Sequence, residues 1–160
     1  MLDHLVEAVD TVPTLLEALG LPLPQHRLEG RSLLTLTRGK TTTEEGWRTA
    51  VFSELDYAYR QARTLLNRRP DACHAWMVRT TDWKYVLWQG YRPQLFNLRD
   101  DPAEFFDLGE ELAHENIRAA MQTRLLEWFA SLRHRTSVTL PEVEQGTNRY
   151  KEAGVFYGVW

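Results

Sequence analysis

Side chains able to do chemistry are few and scattered in this 160-residue chain. A protein metal site needs several ligands that converge at a defined spacing. The five histidines show no HxH or HExxH spacing: His4, His26, His74, His114 and His134. Asp3 and His4 are the one pair that resembles a ligand pair, and no further carboxylate cluster joins them. The sequence therefore predicts no metal site, and the histidines are expected to be ordinary surface or partly buried residues.

Candidate nucleophiles are equally isolated. Cys73, the single cysteine, is followed directly by His74. Adjacent residues on a strand point to opposite faces, which speaks against a catalytic Cys-His couple. Ser53 lies near a predicted strand end, but no G-x-S-x-G elbow surrounds it. No catalytic residue is predicted in this chain, and Cys73 is expected to act as a small apolar residue in or near a strand.

One aromatic and basic segment could hold an anion. Tyr57, Tyr59, Arg60 and Arg63 carry phenol and guanidinium donors, which are the groups that bind a phosphate or sulfate ester. They are the candidates for a substrate rim. The alternative is that they hold a loop over a sheet. Both interpretations remain open at this level.

The elements that must position these side chains follow from hydrophobic periodicity. Alternating apolar residues predict a hairpin over residues 75–89. Shorter strands are predicted at 50–54 and 94–98, which gives four strands. The connections between the last three are too short for parallel crossovers, so the sheet is expected to be antiparallel.

Helices are predicted both before the first strand and after the last strand of the sequence. A short one is expected to begin at Asp10 or Thr11 and to end at Gly20. The D-P-A-E sequence from Asp101 to Glu104 has the spacing of a helix start. Apolar residues four, four, three and four apart predict a long helix over 115–133. The fold class is therefore α+β, a small sheet packed against one long C-terminal helix, followed by an extended aromatic tail.

Composition excludes several classes of function. Nineteen basic and 22 acidic residues give a formal charge of −3, so no general attraction to nucleic acid or to an anionic membrane is expected. The apolar runs fall short of the roughly 20 residues that span a bilayer. Acidic residues interrupt the first ten positions, so no signal peptide is visible. The expectation from this N-terminus as it stands is a cytoplasmic protein.

Several motifs together resemble a known family. They occur in the order VDTVPTLLEALG, EGRSLLTLTRG, AVFSE, WMVRTTDWKYV and QLFNLRDDPAEFFDLG, followed by the long predicted helix. In this combination they resemble the C-terminal portion of sulfatase-type hydrolases of the alkaline phosphatase superfamily. SELDYAYRQAR, the GYRPQLFNL turn and the GVW ending resemble the phosphonate monoester hydrolase and arylsulfatase branch. The resemblance extends from about Leu5 to Trp160.

The resemblance implies a catalytic core outside this chain. Family members hydrolyse sulfate, phosphate or phosphonate esters with a formylglycine made from the Cys or Ser of a C/S-x-P-x-R motif, beside a divalent metal. Cys73 stands in CHAWM, which lacks the required Pro and Arg. Asp3 and His4 echo the family's metal-binding pair but lack its S-D-H-G context. The formylglycine and the metal are thus implied for a full-length parent only, and this chain alone is expected to be inactive.

Two functional classes follow from the resemblance. The chain is either the C-terminal subdomain of a metal-dependent hydrolase or a self-standing interaction and oligomerisation module derived from one. The expected organisation is a remnant of the core's edge at 1–46, the sheet with its helix at 47–135, and a docking or oligomerising tail at 136–160. Its partner is either the missing core or a second copy in a homo-oligomer. The interface candidates are Leu15, Leu16, Phe156, Tyr157 and Trp160.

Overall fold

The computed structural model describes residues 4–38, 46–133, 137–146 and Gly154. The architecture is α+β, as predicted. Its helices are α1 (Thr11–Ala18), α2 (Leu34–Thr37), α3 (Gln61–Leu65), α4 (Glu115–Ser131) and α5 (Leu140–Gly146). Its strands are β1 (Val51–Asp56), β2 (His74–Arg79), β3 (Trp83–Trp88) and β4 (Gln94–Asn97). Within these described ranges, no helix combines the length and the apolar character needed to cross a bilayer.

The four strands form one antiparallel sheet in the order β1-β2-β3-β4. Its register puts four apolar residues in a row across one face. Phe52 pairs with Val78, Val78 with Tyr85, and Tyr85 with Leu95. Because side chains alternate along a strand, this row faces one side of the sheet throughout. The predicted hairpin and its two flanking strands are confirmed.

Helix α4 covers that row. Met121 and Leu125 are buried with Val78, Tyr85 and Leu95 in one cluster. Ile117, Trp128 and Phe129 pack around it, and the Trp128 ring stacks on Phe52 with centroids 5.0 Å apart and an angle of 1° between the planes. Burying each large side chain contributes about 1.5–3 kcal/mol. The long helix predicted from the three- and four-residue spacing is confirmed, and it packs through that apolar stripe.

The segment after β4 corrects one prediction. The DPAE sequence does not begin a helix, because Glu104 has a positive φ of 59° and the chain continues without helical hydrogen bonds. The segment instead follows the outer edge of β4. Leu108 N donates to Leu95 O at 2.8 Å, and Leu95 N donates to Asp107 Oδ1 at 3.1 Å. Pairing with the sheet edge satisfies backbone groups that a helix start would leave exposed to water.

The N-terminal segment is attached to the sheet through β1. Glu7 Oε1 accepts a hydrogen bond from Phe52 N at 2.7 Å, and the Trp47 indole donates to Leu5 O at 2.8 Å. Helix α1 ends at Ala18, and Gly20 follows in the predicted left-handed C′ position, with a φ of +69°. Gly20 N donates to Glu17 O and Leu21 N to Leu16 O, the two bonds of a Schellman motif. The division at residue 46 stays a prediction.

The C-terminal segment is helical over α5 rather than extended there. Thr139 N and Oγ1 donate to Glu142 Oε2 at 2.6 and 2.7 Å, and Glu142 N donates back to Thr139 Oγ1 at 3.4 Å. This reciprocal pattern is a capping box, with Pro141 in the first turn. The interface candidates Phe156, Tyr157 and Trp160 lie outside the described residues.

Candidate functional site

An aromatic cavity of about 330 Å³ lies on the sheet face that points away from α4. Its walls come from the segment that carries α3, from the end of β3 and from the turn before β4. We refer to it as the aromatic cavity. Its principal lining residues are Tyr57, Leu66, Arg68, Trp88, Tyr91 and Arg92. Ala62 and Gln94 complete the lining.

Helix α3 ends in a way that turns Arg68 back toward the sheet. Asn67 has a positive φ of 48°, and its N–H donates to Thr64 O at 3.1 Å. Arg68 N donates to Arg63 O at 3.0 Å. These two bonds form a second Schellman motif, with Asn67 in the left-handed position that this residue type tolerates better than most. The motif fixes the backbone from which the Arg68 side chain extends.

The Arg68 guanidinium lies against the β3–β4 turn. Its Nη2 donates to the backbone oxygen of Gln89. At the next residue, Gly90, a Cβ atom would lie 2.7 Å from the same nitrogen, and the φ of +63° also favours glycine. A side chain at position 90 would therefore displace the guanidinium. Arg68 and the turn hold each other in place.

Two aromatic rings form the floor of the aromatic cavity. Tyr57 is only 4% exposed, and its ring meets Trp88 edge to face, with centroids 5.7 Å apart. The Trp88 indole N–H donates to Gln94 Oε1 at 2.7 Å, which leaves the amide nitrogen of Gln94 as a donor. Among the described residues no group hydrogen-bonds the Tyr57 hydroxyl. The exposed Tyr91 stands at the rim.

The two arginines that line this cavity differ in whether carboxylates balance their charge. Arg92 Nη1 lies 3.0 Å from Glu110 Oε2 and 3.7 Å from Asp107 Oδ2, so its charge is balanced by two carboxylates. Arg68 is half-buried, and the described part of the chain gives it a backbone oxygen as partner but no carboxylate within 4.0 Å. No acidic residue is among the lining residues in the described ranges. The described lining therefore carries a net positive charge.

The four predicted rim residues lie in different surroundings. Tyr57 lines the cavity, whereas Tyr59 is 100% exposed and Arg60 is exposed beside it. Arg63 Nε donates to Ala58 O at 2.8 Å and so holds its own loop. Their role at a substrate rim stays a prediction. Arg68 and Trp88 were missed because they are distant in sequence from Tyr57, and only the β2–β3 register and the end of α3 bring them together.

A second group of polar side chains lies beneath α1. Asp10 is fully buried, and both its oxygens accept from Arg48, at 2.5 and 2.6 Å. Glu7 N and Arg31 N also donate to this carboxylate, each at 2.8 Å. Burial alone would raise the pKa of Asp10, but the hydrogen bonds from Arg48 and from the two backbone groups outweigh it, so the pKa lies below its ordinary value. This cluster positions α1 and the loop at Gly30, and it is a structural anchor.

The outward side of α1 carries an apolar stripe. Val9, Val12, Leu15 and Leu19 are each at least half exposed, with Leu15 at 56% and Leu19 at 72%. The last three are spaced like neighbours on one helix face. We call these four residues the α1 stripe. Leu16, the other predicted contact in this helix, is half-buried. A stripe of this kind on a surface is typical of a protein contact.

Cys73 does not have the surroundings of a formylglycine precursor, and the described residues form no metal centre. Cys73 is fully buried, and its Sγ donates to Arg69 O at 3.1 Å. Ala75 and Met77 stand where the formylglycine motif requires Pro and Arg. Over residues 4–38, 46–133 and 137–146, no group of three or more His, Cys, Asp or Glu side chains could hold a metal ion. Asp3 lies outside these ranges. The prediction that this chain holds no cofactor remains untested.

Comparison with known proteins places the chain in a family. The family model described as N-sulphoglucosamine sulphohydrolase, C-terminal, matches residues 1–131. The multifunctional alkaline phosphatase superfamily protein PehA of Trinickia caryophylli is 31% identical over 144 residues, which is 88% of this chain and 27% of that protein. Rat arylsulfatase K is 28% identical over 92% of this chain and 23% of its own length.

The solved structures agree with these matches. The phosphonate monoester hydrolase of Agrobacterium radiobacter superposes with a TM-score of 0.69 and 30% identity, over 81% of this chain and 26% of that chain. This chain thus spans about a quarter of the relatives it matches. Since the family model covers most of its length, the chain belongs to the N-sulphoglucosamine sulphohydrolase C-terminal family, as a C-terminal sulfatase-family portion.

Proposed function

We propose that this chain is the C-terminal part of a metal-dependent hydrolase acting on sulfate, phosphate or phosphonate esters, and that it supplies no nucleophile or metal ligand. The observation that carries the proposal is the exposed α1 stripe. A helix anchored on one side by the buried Asp10 and Arg48 presents its other side, which is apolar, to water. The free energy gained by covering that side favours a large apolar partner.

In this proposal the partner is the catalytic core, which carries the formylglycine and the divalent metal. The α1 stripe packs against the core, while the sheet and α4 form a stable unit behind it. The names of the relatives support an ester hydrolase, since they include an arylsulfatase and a phosphonate monoester hydrolase. The segment from Tyr57 to Arg63 would then lie near the rim of the active site.

A second candidate is a self-standing interaction module. The same stripe favours it, because an apolar helix face can pack against its own copy as readily as against another protein. The two candidates differ in the genomic sequence that precedes Met1. The hydrolase predicts that this sequence encodes a C/S-x-P-x-R motif and metal-binding carboxylates, and the interaction module predicts that it does not.

Activity assays test the absence of catalysis. The purified 160-residue chain should not hydrolyse 4-nitrophenyl sulfate, 4-nitrophenyl phosphate or a 4-nitrophenyl phosphonate monoester when Mg²⁺, Mn²⁺ or Zn²⁺ is added. Metal-dependent turnover that disappears on substitution of Asp3 or His4 would overturn the proposal. A variant with both residues replaced by alanine serves as the control for contaminating hydrolases.

Co-expression tests the role of the α1 stripe. Where the preceding sequence carries the catalytic motif, the core expressed as a separate chain should co-purify with this one. A double Leu15→Glu, Leu19→Glu variant should not be retained, because it places two charges in the contact. Leu65→Glu is the matched control, since Leu65 is 77% exposed on α3 and away from the stripe. Equal retention of both variants would contradict the assignment of the stripe.

A further inference from the structure

We propose that the aromatic cavity binds a single aromatic ring carrying one oxyanion group, such as an aryl phosphate, sulfate or phosphonate. The proposal does not rest on the hydrolase assignment, because the described lining residues all lie between Tyr57 and Gln94 and binding requires no catalytic group. It assigns a ligand site to the sheet face opposite α4, where the residues predicted from sequence contribute only Tyr57.

Size and shape favour one ring. The volume of about 330 Å³ lies at the small end of the range for ligand pockets, about 300–1,000 Å³. Three of its lining residues are aromatic, Tyr57, Trp88 and Tyr91. Aromatic pairs gain energy in stacked or edge-to-face arrangements, and Tyr57 and Trp88 already adopt the second of these. A bound aryl ring would add a third ring to this pair.

The polar groups favour an anion. Arg68 contributes a half-buried positive charge that no described carboxylate neutralises, and its side chain is fixed by the Gln89 carbonyl and the close approach to Gly90. The Gln94 amide nitrogen and the Tyr57 hydroxyl add two neutral donors. Hydrogen bonds to a charged oxygen are stronger than those between neutral groups. A ligand with acceptor oxygens beside its ring matches this set.

The same donors and acceptors disfavour a sugar as the ligand. Sugar hydroxyls donate as well as accept, and a site that selects them needs acceptors close to the ring. The lining residues that the structure describes include no aspartate or glutamate, and the side-chain oxygen of Gln94 already accepts from the Trp88 indole. A sulfated or phosphorylated sugar would therefore leave several hydroxyl donors unpaired. An aryl oxyanion would leave fewer hydrogen-bonding groups unpaired than a sugar ester.

Binding to the 160-residue chain can be followed by the Trp88 indole and Gly90 amide signals in nitrogen-15 correlation spectra. Phenyl phosphate should saturate these shifts with a Kd of about 1 mM, as expected for a fragment-sized ligand. Benzyl alcohol, inorganic phosphate and glucose 6-phosphate should each bind at least about tenfold more weakly. Tighter binding of glucose 6-phosphate than of phenyl phosphate, or no saturable shift with phenyl phosphate, would overturn the proposal.

Substitutions at Arg68 and Tyr91 distinguish the effect of the Arg68 charge on binding from a disturbance of the cavity's structure. Arg68→Gln should weaken phenyl phosphate binding about tenfold and leave benzyl alcohol binding unchanged. Arg68→Lys keeps the charge and should retain most of the affinity, which controls for disturbance of the Gly90 turn. Tyr91→Ala should weaken both ligands. Arg124→Gln is the matched control because Arg124 is exposed on α4, which covers the opposite face of the sheet. Equal affinities of Arg68→Gln and Arg124→Gln for phenyl phosphate would show that the cavity is not the site.

Discussion

The Arg48 guanidinium holds the buried Asp10 carboxylate through two parallel hydrogen bonds, Nη1 to Oδ2 at 2.5 Å and Nη2 to Oδ1 at 2.6 Å. Arg48 Nη1 also lies 2.9 Å from Glu7 Oε2. The pair joins the residue that precedes α1 to the residue that follows Trp47. It thus fixes the helix that carries the α1 stripe to the segment that enters the sheet.

Asp10→Asn should destabilise the fold by about 3–5 kcal/mol, because it leaves the buried Arg48 without its main partner. Chemical denaturation with urea measures this change. Asp71→Asn is the matched control, since Asp71 also forms a bidentate pair, with Nε and Nη2 of Arg69, but on the surface, and it should leave the midpoint unchanged. A similar midpoint shift in both variants would contradict the anchoring role.

The lowered pKa of Asp10 predicts acid sensitivity of defined sign. Because the pKa is lower in the folded state, the stabilisation is present above the ordinary value of 3.8 and is lost as the pH falls through the folded-state pKa. The free energy of unfolding should therefore fall with pH below about 4. Urea titrations at successive pH values should show a smaller fall for Asp10→Asn, and an equal fall would assign the effect to other carboxylates.

Asp107→Ala should cost about 1–3 kcal/mol, because the Leu95 and Gly109 N–H groups both donate to Asp107 Oδ1 and would lose their acceptor. Asp107→Asn keeps an acceptor oxygen and should cost clearly less. Thermal unfolding of the two variants measures the difference. Equal destabilisation would mean that the charge near Arg92, rather than the backbone contacts, determines the effect.

The stacked rings of Phe52 and Trp128 should be energetically coupled. A double-mutant cycle with leucine at each position should give a coupling energy of about 0.5–1.5 kcal/mol. The control cycle pairs Trp128 with Tyr91, which lies at the rim of the aromatic cavity on the other sheet face, and should give less than about 0.5 kcal/mol. Coupling of similar size in both cycles would indicate a global effect of the Trp128 substitution.

The isolated chain should self-associate through the α1 stripe when no catalytic core is present. Light scattering at increasing concentration should show a mass above that of the monomer, and Val12→Lys should lower it. Leu140→Lys provides the control, because Leu140 is also largely exposed but lies on α5. A monodisperse monomer at high concentration, unchanged by either substitution, would contradict this prediction.

The apolar faces of the strands and of α4 could be predicted from the sequence, because they depend on the local spacing of apolar residues. The row from Phe52 to Leu95 and the stripe of α4 follow directly from the spacing of apolar residues. Helix capping was less predictable. Asp101 and Thr139 both precede a glutamate by three residues, yet only the second begins a helix, because the Asp101 segment finds partners along β4 instead.

The aromatic cavity could be predicted only in part. Tyr57 was identified from its own chemistry, since a phenol beside arginines suggests an anion site. Arg68 required knowledge of the left-handed Asn67, and Trp88 required the pairing of Ala75 with Trp88 across β2 and β3. Asp10 or Thr11 was expected to cap α1. Asp10 is the N-cap residue, but its carboxylate binds Arg48 and the Arg31 backbone instead of the helix. Tertiary partners of this kind leave no signal in local sequence.

The backbone contacts at the two outer strands also restrict how copies of this chain can assemble. At Leu95 on β4 the outward groups already bind Asp107 and Leu108, and at Phe52 on β1 the outward N–H binds the Glu7 carboxylate. Strand addition at these positions would have to displace those partners. Two-fold association through one helix face closes on itself, whereas association through strand edges can propagate. The arrangement therefore favours finite particles over fibres when the chain is concentrated.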